Sequence, residues 1–200
     1  ISFGHPDTAR LLIEHGAEVN TKTKMLNEDF TPMVLEGYTV NVDVTPRGGY
    51  TPMTFAARVG DRETAELLLE RGADVNGVYN EHGPPLVIAA AAGYEALALF
   101  LLEQGADPNL ADTNGMTALH YAMRDGLKPL HNIKITNKTV EQDQDSLIPG
   151  GNMYELAGAL LARGANPNAA MKYPPPSLRV RPSRIPRFNM GGATPLFLAA

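Results

Sequence analysis

The sequence predicts an all-α solenoid of stacked helix-turn-helix units joined by β-turn fingers and interrupted by three long insertions. Three observations carry that expectation. A landmark ending in Gly-Ala and Asn occurs four times, as RLLIEHGAEVN (Arg10 to Asn20), ELLLERGADVN (Glu66 to Asn76), LFLLEQGADPN (Leu99 to Asn109) and GALLARGANPN (Gly158 to Asn168). A second landmark also recurs, as YTPMTFAARVG from Tyr50, GPPLVIAAAAG from Gly83, MTALHYAMRDG from Met116 and ATPLFLAA from Ala193. Both keep one period, since Gly72 and Gly105 are 33 residues apart, as are Thr51, Pro84 and Thr117. A fixed period of this length marks a supersecondary unit that cannot bury its own apolar face and completes its core only by stacking.

The elements follow in chain order. The first landmark copy is a second helix from His5 to His15, stopped by Gly16. In the next unit Thr51 caps a first helix that takes Pro52 in its opening turn, where the missing N–H costs nothing, and Gly60 ends it in a left-handed conformation. A second helix starts near Asp61, places Ala65, Leu68 and Leu69 on one face, and stops at Gly72. The pattern repeats from Pro84 to Gly105 and from Thr117 to Gly164, and a last first helix spans Pro195 to Ala200. The chain thus opens inside a second helix and closes inside a first helix, which reads as part of a longer array without caps.

The period, the Thr-Pro-Leu-His-like landmark (Thr117, Ala118, Leu119, His120) and the Gly-Ala-Asp-x-Asn ending resemble the ankyrin repeat. The loosely matched units and the proline-arginine insertion are similar to long bacterial ankyrin-repeat proteins. On this reading the repeats fall at about 1–20 (partial), 45–76, 77–109, 110–168 and 190–200 (partial). Spacing places insertions at about 21–44 and 169–190, within turns between repeats, and at 127–152, between the two helices of one repeat. In the first insertion the alternation of Val40, Val42 and Val44 predicts a strand pair. The second is polar, with Glu141, Asp143 and Asp145, and is expected to lack structure.

Composition narrows the function. The 200 residues are 44% hydrophobic and 20% charged with a net charge of -5, enough for a real core. Zero cysteines exclude disulfides, thiolate metal sites and thiol catalysis but leave the compartment open. The longest mostly apolar run, Leu86 to Leu102, contains Gly93 and Glu95 and falls short of the roughly 20 residues a bilayer requires.

No catalytic constellation emerges, and no cofactor or metal is expected. His120 with Asp112 or Asp125 could be drawn as a base and its orienter, yet His120 resembles the family's structural histidine, which ties adjacent turns together. The other histidines keep no metal-ligand spacing. Glu63, Glu66 and Glu70 stand at helical spacing, as expected of a solvated face with Arg62 and Arg71 as local partners. Asn76 resembles the asparagine that hydroxylases modify in some family members, although the turn alone explains it.

The segment from Lys172 to Phe188, KYPPPSLRVRPSRIPRF, has five prolines, five cations and no acid. Such proline density excludes a continuous helix or central strand. Two readings stay open. It is a solvated connector whose arginines fold onto the acidic body, or a recognition arm in which Arg179, Arg181, Arg184 and Arg187 bind carboxylate or phosphate bidentately and proline stiffness limits the entropy lost. Nucleic acid is the weaker target, because the remaining surface is acidic and only Tyr173 and Phe188 offer stacking.

The resemblance implies a monomeric module that binds another protein without catalysis and without membrane insertion. The family's variable contact positions fall on Tyr50, Arg58, Val59, Asn80 and Glu81, then on Thr113, Asn114, Met116, Arg124 and Asp125. The alternative is a structural or regulatory segment of a larger, multidomain and exported chain.

Overall fold

Thr51 shows how a first helix begins. Its hydroxyl accepts from the Thr54 N–H at 3.2 Å while the Thr54 hydroxyl accepts from the Thr51 N–H at 2.8 Å, so two groups of the helix start satisfy each other. The helix so started, α2 (Pro52–Val59), ends at Gly60 with φ 75°. The computed structural model describes residues 6–24, 34–35, 38–39, 48–78, 82–123, 133–135, 140–142, 151–172 and 191–199. Within them the helices are α1 (Pro6–Glu14), α2, α3 (Arg62–Glu70), α4 (Pro85–Ala92), α5 (Glu95–Glu103), α6 (Ala118–Ala122), α7 (Tyr154–Ala162) and α8 (Pro195–Ala199).

The helices form the predicted all-α repeat solenoid. First helices lie side by side, α2 against α4, α4 against α6 and α6 against α8. Second helices form the other layer, with α1 against α3 and α5 against α7. The core runs between the layers. Ala57, Ala65, Ala89, Ala90, Ala98 and Ala122 are buried where helices approach closely, and Met53, Leu68, Leu86, Leu101 and Leu160 fill the space between. Helix α4 has neighbours on both sides and is apolar almost all round, with every residue from Pro85 to Ala90 buried. On α3 the buried set is Ala65, Leu67 and Leu68, whereas Leu69, expected on that face, is half-buried at its edge.

The repeated asparagine is a rivet between units. Asn20 donates to the Gly72 carbonyl at 3.0 Å and accepts from the Asp74 N–H at 3.1 Å. Asn76 repeats this on Gly105 and Asp107, at 3.3 and 2.8 Å, and Asn109 on Gly164 and Asn166, at 3.0 and 2.8 Å. An amide side chain offers one donor edge and one acceptor edge, which these two backbone groups require. Arginines add a second tie. Arg163 donates to the Leu102 carbonyl at 2.6 Å and Arg71 to the Ile13 carbonyl at 3.4 Å, each satisfying the end of the preceding second helix.

All three insertions leave the array at closed necks. In the uninterrupted finger the Asp112 N–H donates to the Met116 carbonyl at 3.0 Å. The same register joins Thr23 to Tyr50, at 2.9 Å, and Met171 to Ala193, at 2.9 Å, so the first and third insertions lengthen the finger without displacing its base. The second uses a different neck. Met153 donates to the Ala122 carbonyl at 2.9 Å, as Asp61 does to Ala56 and Tyr94 to Ala89 in the uninterrupted units.

Short strand pairs occur in two insertions. In the first, β1 (Val34–Leu35) pairs antiparallel with β2 (Tyr38–Thr39), and Val40, Val42 and Val44 lie outside the described residues. The second insertion, expected to lack structure, contains β3 (Ile133–Ile135) paired with β4 (Val140–Gln142). Its β-branched Ile133, Ile135 and Val140 supply strand propensity that the average polarity of the segment conceals. No helix among the described residues is long and apolar enough to cross a membrane.

Candidate functional site

Where the first finger neck meets α2, three side chains gather at the surface. The Arg58 guanidinium donates to the Tyr50 hydroxyl at 3.0 Å, and its carbon lies 5.8 Å from the Tyr50 ring centroid. His82 approaches the same ring from the next turn, with centroids 6.0 Å apart and planes tilted by 31°. Tyr50 is fixed by its place at the neck, one residue before the Thr51 cap, and Arg58 by the last turn of α2. The group combines a half-buried aromatic ring with an exposed arginine.

Val59, also expected at the contact surface, is half-buried at the end of α2. Phe55, not singled out from the sequence, is an exposed aromatic on the outer face of α2. Its position in TPMTFAARVG, on the face opposite Met53 and Ala57, is the signal that could have identified it. Tyr94 is exposed as well and lies across Gly60, where a Cβ would stand 2.6 Å from the ring. Together with the left-handed φ, that contact restricts this position to glycine.

The finger of the next repeat corrects two expectations. Thr113 is exposed as expected, but Met116 is fully buried and Asn114 is buried. The cause is Asp112, whose Oδ1 accepts from the N–H groups of both Asn114 and Met116, at 2.8 and 2.9 Å, and curls the turn inward. Met116 then joins the core, and Asn114 is covered as its carbonyl accepts from the Lys172 N–H. Neither presents a side chain to a partner. Asn80, Glu81, Arg124, Asp125, Arg179, Arg181, Arg184 and Arg187 lie outside the described residues.

The candidate acid-base pair separates. The Asp112 carboxylate accepts from the Tyr121 hydroxyl at 2.8 Å, and burial together with this carboxylate drives the phenol pKa far upward. His120 turns its Nδ1 to the Thr117 N–H, at 3.1 Å, and is fully buried. Its Nε2 is buried without a well-aligned hydrogen bond, although it faces the carbonyls of Ala193 and Ala169. Burial lowers the pKa of His120 despite the opposing pull of these carbonyls and Asp112, which favours the neutral ring. It is a core group spanning two repeats, as the resemblance implied.

Among the described residues no group of three or more His, Cys, Asp or Glu side chains is placed to hold a metal ion. Glu63, Glu66 and Glu70 lie on the exposed face of α3. Of their expected partners, Arg62 lies over the Phe100 ring at 4.9 Å, and Arg71 reaches the preceding repeat. Asn76, the candidate for hydroxylation, has both edges of its amide engaged between repeats.

Comparison with known proteins agrees with this geometry. A family model described as ankyrin repeats (3 copies) matches residues 26–112, and one for the single ankyrin repeat matches residues 1–24. The two together span more than half of the 200 residues. No curated protein gives a match. Beyond the matched segment, the bonds from Asn109 to Gly164 and Asn166 carry the same geometry into the next unit.

Proposed function

Since the chain belongs to the ankyrin-repeat family, whose repeats are generally protein-protein interaction modules, we propose that it binds a partner protein through its finger side, without catalysis. The observation that carries this reading is the Tyr50, Arg58 and His82 group at the neck of the first long finger. Aromatic and arginine side chains dominate the energetics of protein interfaces, because they bury large area with directed hydrogen bonds. Here a tyrosine holds the arginine in one geometry before any partner arrives, which lowers the entropy lost on binding.

The partner surface carries carboxylates that pair with Arg58 and with Arg179, Arg181, Arg184 and Arg187 of the third insertion. The lengthened fingers supply the reach, while Val59, Asn80, Glu81, Thr113, Arg124 and Asp125 extend the contact. Arg58→Ala, and separately the fourfold alanine change at the insertion arginines, are each expected to weaken partner affinity about tenfold or more, a loss of about 1.4 kcal/mol. Titration calorimetry against the captured partner measures this, and unchanged affinity in both variants sinks the proposal.

A further inference from the structure

The sequence contains two Asn-Gly pairs, Asn76 with Gly77 and Asn114 with Gly115. A glycine after asparagine has no Cβ to obstruct its backbone nitrogen, so that nitrogen can reach the carbonyl carbon of the asparagine side chain. The structure separates the two pairs. The Gly115 N–H donates to the Asp112 carbonyl at 3.0 Å, and Asn114 is buried. The Gly77 N–H donates to no group among the described residues, and Asn76 is half-buried.

Asn76 is also the rivet between the second and third units. Thr21, Leu110 and Ala169 follow Asn20, Asn109 and Asn168, so Asn76 alone of the four repeat-ending asparagines precedes glycine. Its donor bond, 3.3 Å to the Gly105 carbonyl, is longer than the 3.0 Å bonds of Asn20 and Asn109, and the longer bond is the weaker one. An amide held on both edges cannot turn onto its own backbone. Attack therefore proceeds from molecules in which this rivet has opened.

We propose that Asn76 is a site of spontaneous deamidation, and that its conversion loosens the junction between the second and third units. The Gly77 nitrogen loses its proton to solvent base and attacks Cγ of Asn76, the Cγ–Nδ2 bond breaks, and Nδ2 takes up a proton and leaves as ammonia. Water then opens the five-membered imide at either carbonyl, which yields aspartate or isoaspartate. One water enters, one ammonia leaves, and nothing is oxidised or reduced. The product has no donor edge, so an oxygen faces the Gly105 carbonyl where Nδ2 donated to it. The new carboxylate also lies close to two others, since Asp74 accepts from the Asn76 N–H and the Asp107 N–H is the one the rivet engages. Isoaspartate further lengthens the main chain at the turn, so neither product restores the tie.

Peptide mapping by mass spectrometry of the folded chain, held in mildly alkaline buffer, follows both pairs in one molecule. Asn76 should convert with time to aspartate and isoaspartate together, while Asn114 stays intact. Gly77→Ala, its fold checked by circular dichroism, should slow that conversion at least about tenfold. In a second measurement, Asn76→Asp should lower the urea midpoint of unfolding more than Asn168→Asp, because the Asn168 side-chain amide makes no hydrogen bond among the described residues. The proposal is overturned if Asn76 stays intact for as long as the urea-unfolded chain needs to convert, or if Asn114 converts as fast. It is equally overturned if Gly77→Ala leaves the rate unchanged, or if the two aspartate variants unfold at one midpoint.

Discussion

Replacing Leu101 by alanine is expected to destabilise the array by about 3 kcal/mol, near the middle of the range for truncating a buried leucine. Leu101 is fully buried in α5, a helix packed against α4 of the first-helix layer and against the second helix α7. Its neighbours are held on both sides by stacked repeats and by the asparagine rivets, so the cavity collapses only in part. The same truncation at Leu161, an exposed leucine of α7, should cost well under about 1 kcal/mol. Urea unfolding followed by circular dichroism measures both. Similar losses at the two sites would mean that α5 does not lie at the centre of one continuous core.

Acid should destabilise the protein through His120. Folding removes the ring from water and lowers its pKa below the ordinary 6.5, so the unfolded chain takes up a proton at a higher pH than the folded one. The sign follows. The stability associated with neutral, buried His120 is fully present above about pH 6.5 and is lost progressively as the pH falls toward the lowered folded value. His120→Gln retains an acceptor for the Thr117 N–H but cannot take up the proton. Denaturant midpoints at about pH 7.5 and about pH 5.5 should therefore fall more for the unaltered protein than for the variant, with the carboxylates common to both cancelling. Parallel curves would show that His120 is solvated or finds an acceptor on protonation.

Much of the array is legible because its signals are local. The Thr51 cap, Pro52 and the left-handed Gly60 act within one helix, and the 33-residue period multiplies a weak pattern into a firm one. The insertions were also countable, since their closed necks preserve the register on either side. The site was less readable. Met116 and Asn114 occupy family contact positions, yet one carboxylate, Asp112, turns both inward, an effect of side-chain geometry that no spacing rule encodes. The gathering of Tyr50, Arg58 and His82 joins residues from two repeats and is visible only after stacking. The exposed Phe55, by contrast, is readable from helical spacing, which sets it on the face of α2 opposite Met53 and Ala57.

Recognition of a protein by the finger side of this array, as proposed above, has a direct test. It is affinity capture from the source lysate, run in parallel on the intact chain, on Arg58→Ala, and on a copy whose residues 173–189 are replaced by a short glycine-serine turn that keeps the Met171 to Ala193 neck. The intact chain should retain a specific protein, and both altered copies, folded by circular dichroism, should lose most of it. Retention of nothing specific by the intact chain, or of the same protein in equal amount by all three, would contradict that proposal.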